Sequence, residues 1–147
     1  MAMKSQGIGS RAPVSAGSGP RSVRVWQGLS ALLLLAMAGI HLYLVLDGVG
    51  GTLGTLFVLN VIGGVALAIA VVVLRGQLLL LAAVGGTLFM AGTLLALILA
   101  LTVGFFGITE VLDYQLVKTT LVVESIGTIV LAVTTYLLVQ PLRGTRV

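Results

Sequence analysis

The chain contains no cysteine, and charged side chains make up only 8% of it. The first absence removes disulfides, thiolate metal sites, c-type haem attachment and cysteine nucleophiles together. The second sets the chain apart from soluble domains, in which about a quarter of residues are charged. Acidic residues number four and histidines one. No GxxxxGK[ST], GxGxxG, HExxH or GxSxG pattern occurs, so nucleotide hydrolysis, dinucleotide binding, zinc proteolysis and serine hydrolysis have no recognisable machinery. One histidine cannot give both axial ligands of a membrane b-type haem within a chain, although two copies could offer one each. The expectation is a protein that is not an enzyme and carries no metal and no cofactor.

What fills the chain is apolar: 59% of the 147 residues are hydrophobic, and the mean hydropathy is +1.22. Each crossing of a ~30 Å hydrocarbon layer takes about 20 helical residues, so four crossings account for nearly all of the sequence. Apolar runs of that length lie at about 26–46, 53–74, 77–102 and 119–139. The first opens at Trp26, a residue type favoured at headgroup level, and ends at Asp47 and a group of glycines. Arg75 ends the second, GFFG the third, and Pro141 is expected to stop the fourth. Continuous runs contradict the alternation of a membrane β-barrel, so the fold class is all-α, a bundle of four transmembrane helices. Residues 1–25, rich in Gly, Ser, Ala and Pro, read as a disordered basic tail, and 141–147 as a second tail.

The net charge of +4 comes from basic residues at the ends of apolar runs, without interleaved aromatics, which argues against nucleic acid. Lys4, Arg11, Arg21, Arg24, Arg75, Arg143 and Arg146 fall on one side of the four crossings and Lys118 alone on the other. That imbalance predicts both ends of the chain in the cytoplasm. Ala36-Met37-Ala38 imitates a signal-peptide cleavage site, but the apolar run continues to Leu46, the behaviour of a retained anchor.

Ionisable groups inside a bilayer are costly and are functional candidates for that reason. Two occur within the runs, His41 and Glu124, and counting at ~1.5 Å per residue puts both at one depth, with Asn60 and Thr93 at a similar height. One polar group per helix thus shares a layer. One reading is a mutual hydrogen bond or ion pair between His41 and Glu124 that fixes the bundle, Asn60 and Thr93 satisfying what remains. The other is a binding or proton-accepting pocket. Tyr43, Asp47, Glu110 and Asp113 lie just outside, as solvated interface residues or an outer vestibule. On helix four, Glu124, Thr128, Ala132 and Thr135 are spaced to form an inward stripe. Gly92, Ala96 and Ala100 on helix three and Gly63-Gly64 on helix two suit close helix contact.

AGIHLYLVLDGVGGTLGTLFVLNVIGGVALA and GFFGITEVLDYQLVKTTLVVESIGTIVLA resemble segments of a group of small four-helix integral membrane proteins of actinobacteria, over roughly residues 27 to 140. The shared features are a His in helix one, a Phe-Leu-Asn segment in helix two and a Glu in helix four, matched by His41, Phe57-Val58-Leu59-Asn60, with Val58 as a mild departure, and Glu124. The resemblance implies a bacterial plasma-membrane location and a four-helix body, and no assigned activity. The favoured role is a non-enzymatic accessory or interaction subunit with the lipid bilayer, a protein partner or a second copy as its partners. The alternative is a small, dimeric, proton-coupled transporter built on the His/Asn/Glu layer.

Overall fold

The computed structural model describes the backbone of residues 20–104, 107, 109, 111–113 and 116–144, and side chains within 21–140. The described part is helical: α1 spans Pro20–Leu46, α2 Gly51–Val73, α3 Gly76–Thr102 and α4 Val117–Gly144. Each contains a stretch long and apolar enough to cross a membrane, the shortest being the 23 residues of Gly51–Val73. Large apolar side chains such as Leu32, Ile62, Leu88 and Ile129 stand outward and are more than half exposed. A surface of that kind belongs against lipid rather than water.

Two boundaries differ from the sequence expectation. Residues 20–25, assigned to the irregular tail, form the first turns of α1. Pro20 is at the first helical position, where its ring torsion suits a helix and its missing N–H costs nothing. At the other end α4 passes through Pro141 to Gly144. A proline removes one backbone hydrogen bond and bends a helix, without forbidding one more turn. Glu110 lies outside the described residues.

The connections from α1 to α2 and from α2 to α3 are short. After α1, Gly48 at φ 101° accompanies bonds from Gly48 N to Val45 O (3.2 Å) and from Val49 N to Leu44 O (3.1 Å), the paired closure of a Schellman C-cap. The chain then folds back so tightly that the Val49 carbonyl occupies the place of a Cβ on Gly54, so this position admits no side chain. Leu74 and Arg75 are extended, and Gly76 at φ 57° starts α3. The helices pack as a ring, α1 on α2, α2 on α3, α3 on α4 and α4 on α1, with α2–α3 the loosest side.

The ring is solid at the end that holds the start of α1, the α2–α3 turn and the end of α4. Leu34, Met37, Val71, Met90 and Leu131 are completely buried there or at mid-height. Apolar burial gives little net drive for helix association in lipid, so close approach and interhelical hydrogen bonds carry the packing. A Cβ on Gly64 would lie 3.2 Å from both the Ala38 Cβ and the Leu34 carbonyl, and one on Gly127 2.7 Å from Met90. Ser30 and Thr134 share a hydrogen bond of 2.9 Å, Thr87 and Thr135 one of 3.2 Å, and Gln27 Nε2 donates to the Val71 carbonyl at 3.2 Å. These contacts tie α1 to α4, α3 to α4 and α1 to α2.

The buried line of α4 is Val117, Thr120, Glu124, Gly127, Leu131 and Thr134; of the expected Glu124, Thr128, Ala132 and Thr135, Glu124 lies on it and Thr128 and Thr135 lie beside it, half-buried. At about 100° per residue, alternating steps of three and four keep a line on the ring axis. Two successive steps of four rotate Ala132 outward, where it is exposed.

Candidate functional site

Beyond the solid half, toward the α1–α2 and α3–α4 connections, the ring surrounds a half-open cavity of about 520 Å³. Every helix contributes to its wall. His41 lies five residues before the end of α1 and Glu124 seven after the start of α4, roughly 8 and 10 Å along the axis. Asn60 and Thr93 are each nine residues from the corresponding ends of α2 and α3, roughly 14 Å along. All four line the same cavity, together with Leu44, Leu56, Phe57, Leu97, Thr120 and other apolar side chains.

His41 and Glu124 are 4% and 1% exposed, yet no ion pair or hydrogen bond joins them among the described residues. The expected mutual pair is therefore not formed. His41 Nδ1 is 2.9 Å from the Met37 carbonyl. Because a carbonyl only accepts, Nδ1 is the nitrogen that carries hydrogen, and Nε2 is left for other partners. The imidazole also meets the Phe57 ring edge-on, centroids 4.8 Å apart at 73°, which fixes it between α1 and α2.

The Glu124 carboxyl group is held less firmly. The Thr93 hydroxyl faces its carboxyl group from α3, but that hydroxyl donates to the Met90 carbonyl at 2.9 Å. Glu124 Oε2 is the buried side-chain polar atom without a hydrogen-bond partner among the described residues. Buried polar groups nearly always have partners, and a carboxyl oxygen sealed in an apolar wall is costly.

Asn60 is partly exposed to the cavity and its carboxamide is held by no hydrogen bond among the described residues. Thr120, which the sequence reading left unmarked, adds a second hydroxyl to the wall and donates to the Leu116 carbonyl at 2.9 Å. Its signal was available in its position four residues before Glu124. Gly92, Ala96 and Ala100, expected to bring helices together, line the cavity instead, and a Cβ on Gly92 would meet nothing within 4 Å. Smallness at these positions keeps the space open.

The outer residues are not brought to the cavity. Tyr43 is 47% exposed, Asp47 is exposed, and Asp113 pairs with Lys118 at 2.7 Å in an exposed ion pair. None of these three lines the cavity. No grouping of three or more metal-ligating side chains occurs among the described residues. The chain matches no protein-family model, no curated protein and no solved structure.

Proposed function

We propose that this chain is a multi-pass integral membrane protein of the bacterial plasma membrane that acts without chemistry of its own, as an accessory subunit holding a small amphiphilic molecule in its cavity. The observation that carries this reading is Glu124 Oε2, buried without a partner in the wall of a cavity of about 520 Å³. That volume is within the range of about 300–1,000 Å³ typical of small-molecule sites, which are mostly apolar with a few convergent polar groups. The seven-to-one division of basic residues supports cytoplasmic placement of the solid end and an outward-facing cavity.

Native mass spectrometry of the protein released gently from its own membrane tests the proposal. The expected spectrum shows one small molecule per chain, lost from a Gly92→Leu variant that fills the cavity. A wild-type chain that is empty whenever it is extracted, or that retains the same mass after Gly92→Leu, refutes it.

The transporter reading draws on the same observation, because a carboxyl group within the membrane can exchange a proton for a ligand's charge. Flux into liposomes containing only this protein, abolished by Glu124→Gln or His41→Ala, would establish transport over an accessory role. Absence of flux with ligand binding intact leaves the accessory role.

A further inference from the structure

Which molecule the cavity takes follows from where its polar groups direct their hydrogens. Resting on the binding role proposed above, we infer that the ligand is a lipophilic cation, its charged head at Glu124 and its apolar body along α2 and α3.

The polar groups of the wall have committed their protons to their own helices. Thr93 donates to Met90 O at 2.9 Å, Thr120 to Leu116 O at 2.9 Å, and His41 through Nδ1 to Met37 O at 2.9 Å. What remains for a guest is lone pairs: the oxygens of Thr93 and Thr120, His41 Nε2, and the unpartnered Glu124 Oε2. Besides Glu124, which donates only in its protonated form, the Asn60 carboxamide is the group left with hydrogens to give. A wall with this bias favours a guest that brings donors and positive charge, and disfavours an anion.

Among the described residues, no lysine or arginine pairs with this carboxyl group. Lys118 is engaged with Asp113 and is exposed, and Arg75 is at the opposite end of the bundle, in the α2–α3 turn. A carboxylate in a low-dielectric site needs a counter-charge within a few ångströms, and a ligand can bring it. A bare inorganic ion does not suit the site, because one carboxylate and scattered hydroxyls do not form an oxygen cage and most of the wall is leucine, phenylalanine, valine and alanine. The apolar wall needs an apolar body.

The placement of that body is visible in the α2–α3 side. Leu59 of α2 and Leu88 of α3 line the cavity and are also 57% and 69% exposed. The two helices touch closely at Gly63, where a Cβ would lie 2.8 Å from the Phe89 ring. Beyond that contact, toward the connections, Gly92 leaves open space between them. A membrane-dissolved guest therefore meets the cavity on its loosest side.

Three probes that share one rigid apolar cage and differ only in the head group separate the possibilities: 1-adamantylamine, 1-adamantanol and 1-adamantanecarboxylate. Each is titrated by calorimetry into the full chain in phosphatidylcholine nanodiscs. The amine is expected to bind one per chain, about tenfold or more tighter than the alcohol, with no detectable binding of the acid. Glu124→Gln is expected to bring amine and alcohol to within about twofold of each other, and Gly92→Leu to abolish binding of both, with helical content unchanged in each variant. Alcohol binding as tight as the amine in wild type, or amine preference surviving Glu124→Gln, overturns the cation inference and leaves the binding role standing. No binding of any probe overturns both.

Discussion

At the scale of single residues, two buried polar groups of α4 behave oppositely although they are ten positions apart on one helix. Thr134 is hydrogen-bonded to Ser30 and to the Val130 carbonyl, the latter at 2.8 Å. Glu124 has an oxygen with no partner among the described residues. Removing a satisfied hydroxyl strands its partner, which costs about 1–2 kcal/mol. Thr134→Val is therefore expected to lower resistance to unfolding in mixed detergent by that amount. Removing a buried carboxyl group with an unpartnered oxygen relieves a desolvation cost, so Glu124→Leu is expected to match or exceed wild type by up to about 1 kcal/mol while ligand binding is lost. Equal destabilisation by both changes would place Glu124 among the structural contacts. A residue that costs stability where it stands is the pattern expected of function.

The approximate depth of His41, Asn60, Thr93 and Glu124 was legible from sequence because helix rise is regular, and counting from helix ends brings the four positions to within about 6 Å of one another along the axis. Their partners were not legible. Whether His41 turns to Glu124 or to its own helix depends on ring rotation and on Phe57, which no spacing encodes. The inward line of α4 was misjudged for a related reason. Threonine at 128 and 135 looks like a polar face, yet Thr128 satisfies itself on the Glu124 carbonyl at 2.7 Å and needs no burial.

At the scale of elements, glycines with the same sequence appearance have different work. Gly54 admits the Val49 carbonyl where the chain reverses into α2, and a Cβ there would collide with backbone. Backbone cannot move aside as a flexible side chain can, so Gly54→Ala is expected to cost about 1–3 kcal/mol and to disturb the α1–α2 connection, read as faster proteolysis at 47–51 in open vesicles. Wild-type proteolysis in that variant would contradict the described turn. The helix ends show why sequence boundaries drift. Apolar run length locates the bilayer, not the last hydrogen bond, so α1 begins at Pro20 six residues ahead of Trp26 and α4 continues past Pro141.

For the whole molecule, four helices long and apolar enough to cross a membrane were legible from composition alone, since no other structure accommodates such runs. The side of the membrane on which the solid end lies rests on the distribution of basic residues. Reporter fusions after Gly48 and after Gly144 are expected to report external and cytoplasmic positions respectively; the reverse pattern would invert the bundle and open the cavity inward. What composition could not reveal is the asymmetry of packing. In the half with the α2–α3 turn, small residues are in contact and hydroxyls are paired across helices. In the half with the other two connections, Gly92 faces space and the Thr93 and Thr120 hydroxyls turn back on their own helices.

That asymmetry is the basis of the functional reading, and it is tested most directly by adding the same bulk to each half. Gly64→Leu and Gly92→Leu, unfolded side by side with wild type in mixed detergent, make the comparison. The expected result is a loss of about 2–3 kcal/mol for Gly64→Leu, which drives atoms into α1, and a change within about 0.5 kcal/mol for Gly92→Leu, which enters open space. Equal and large losses from both would mean that the second half is as tightly packed as the first, and that no cavity exists for a ligand to fill.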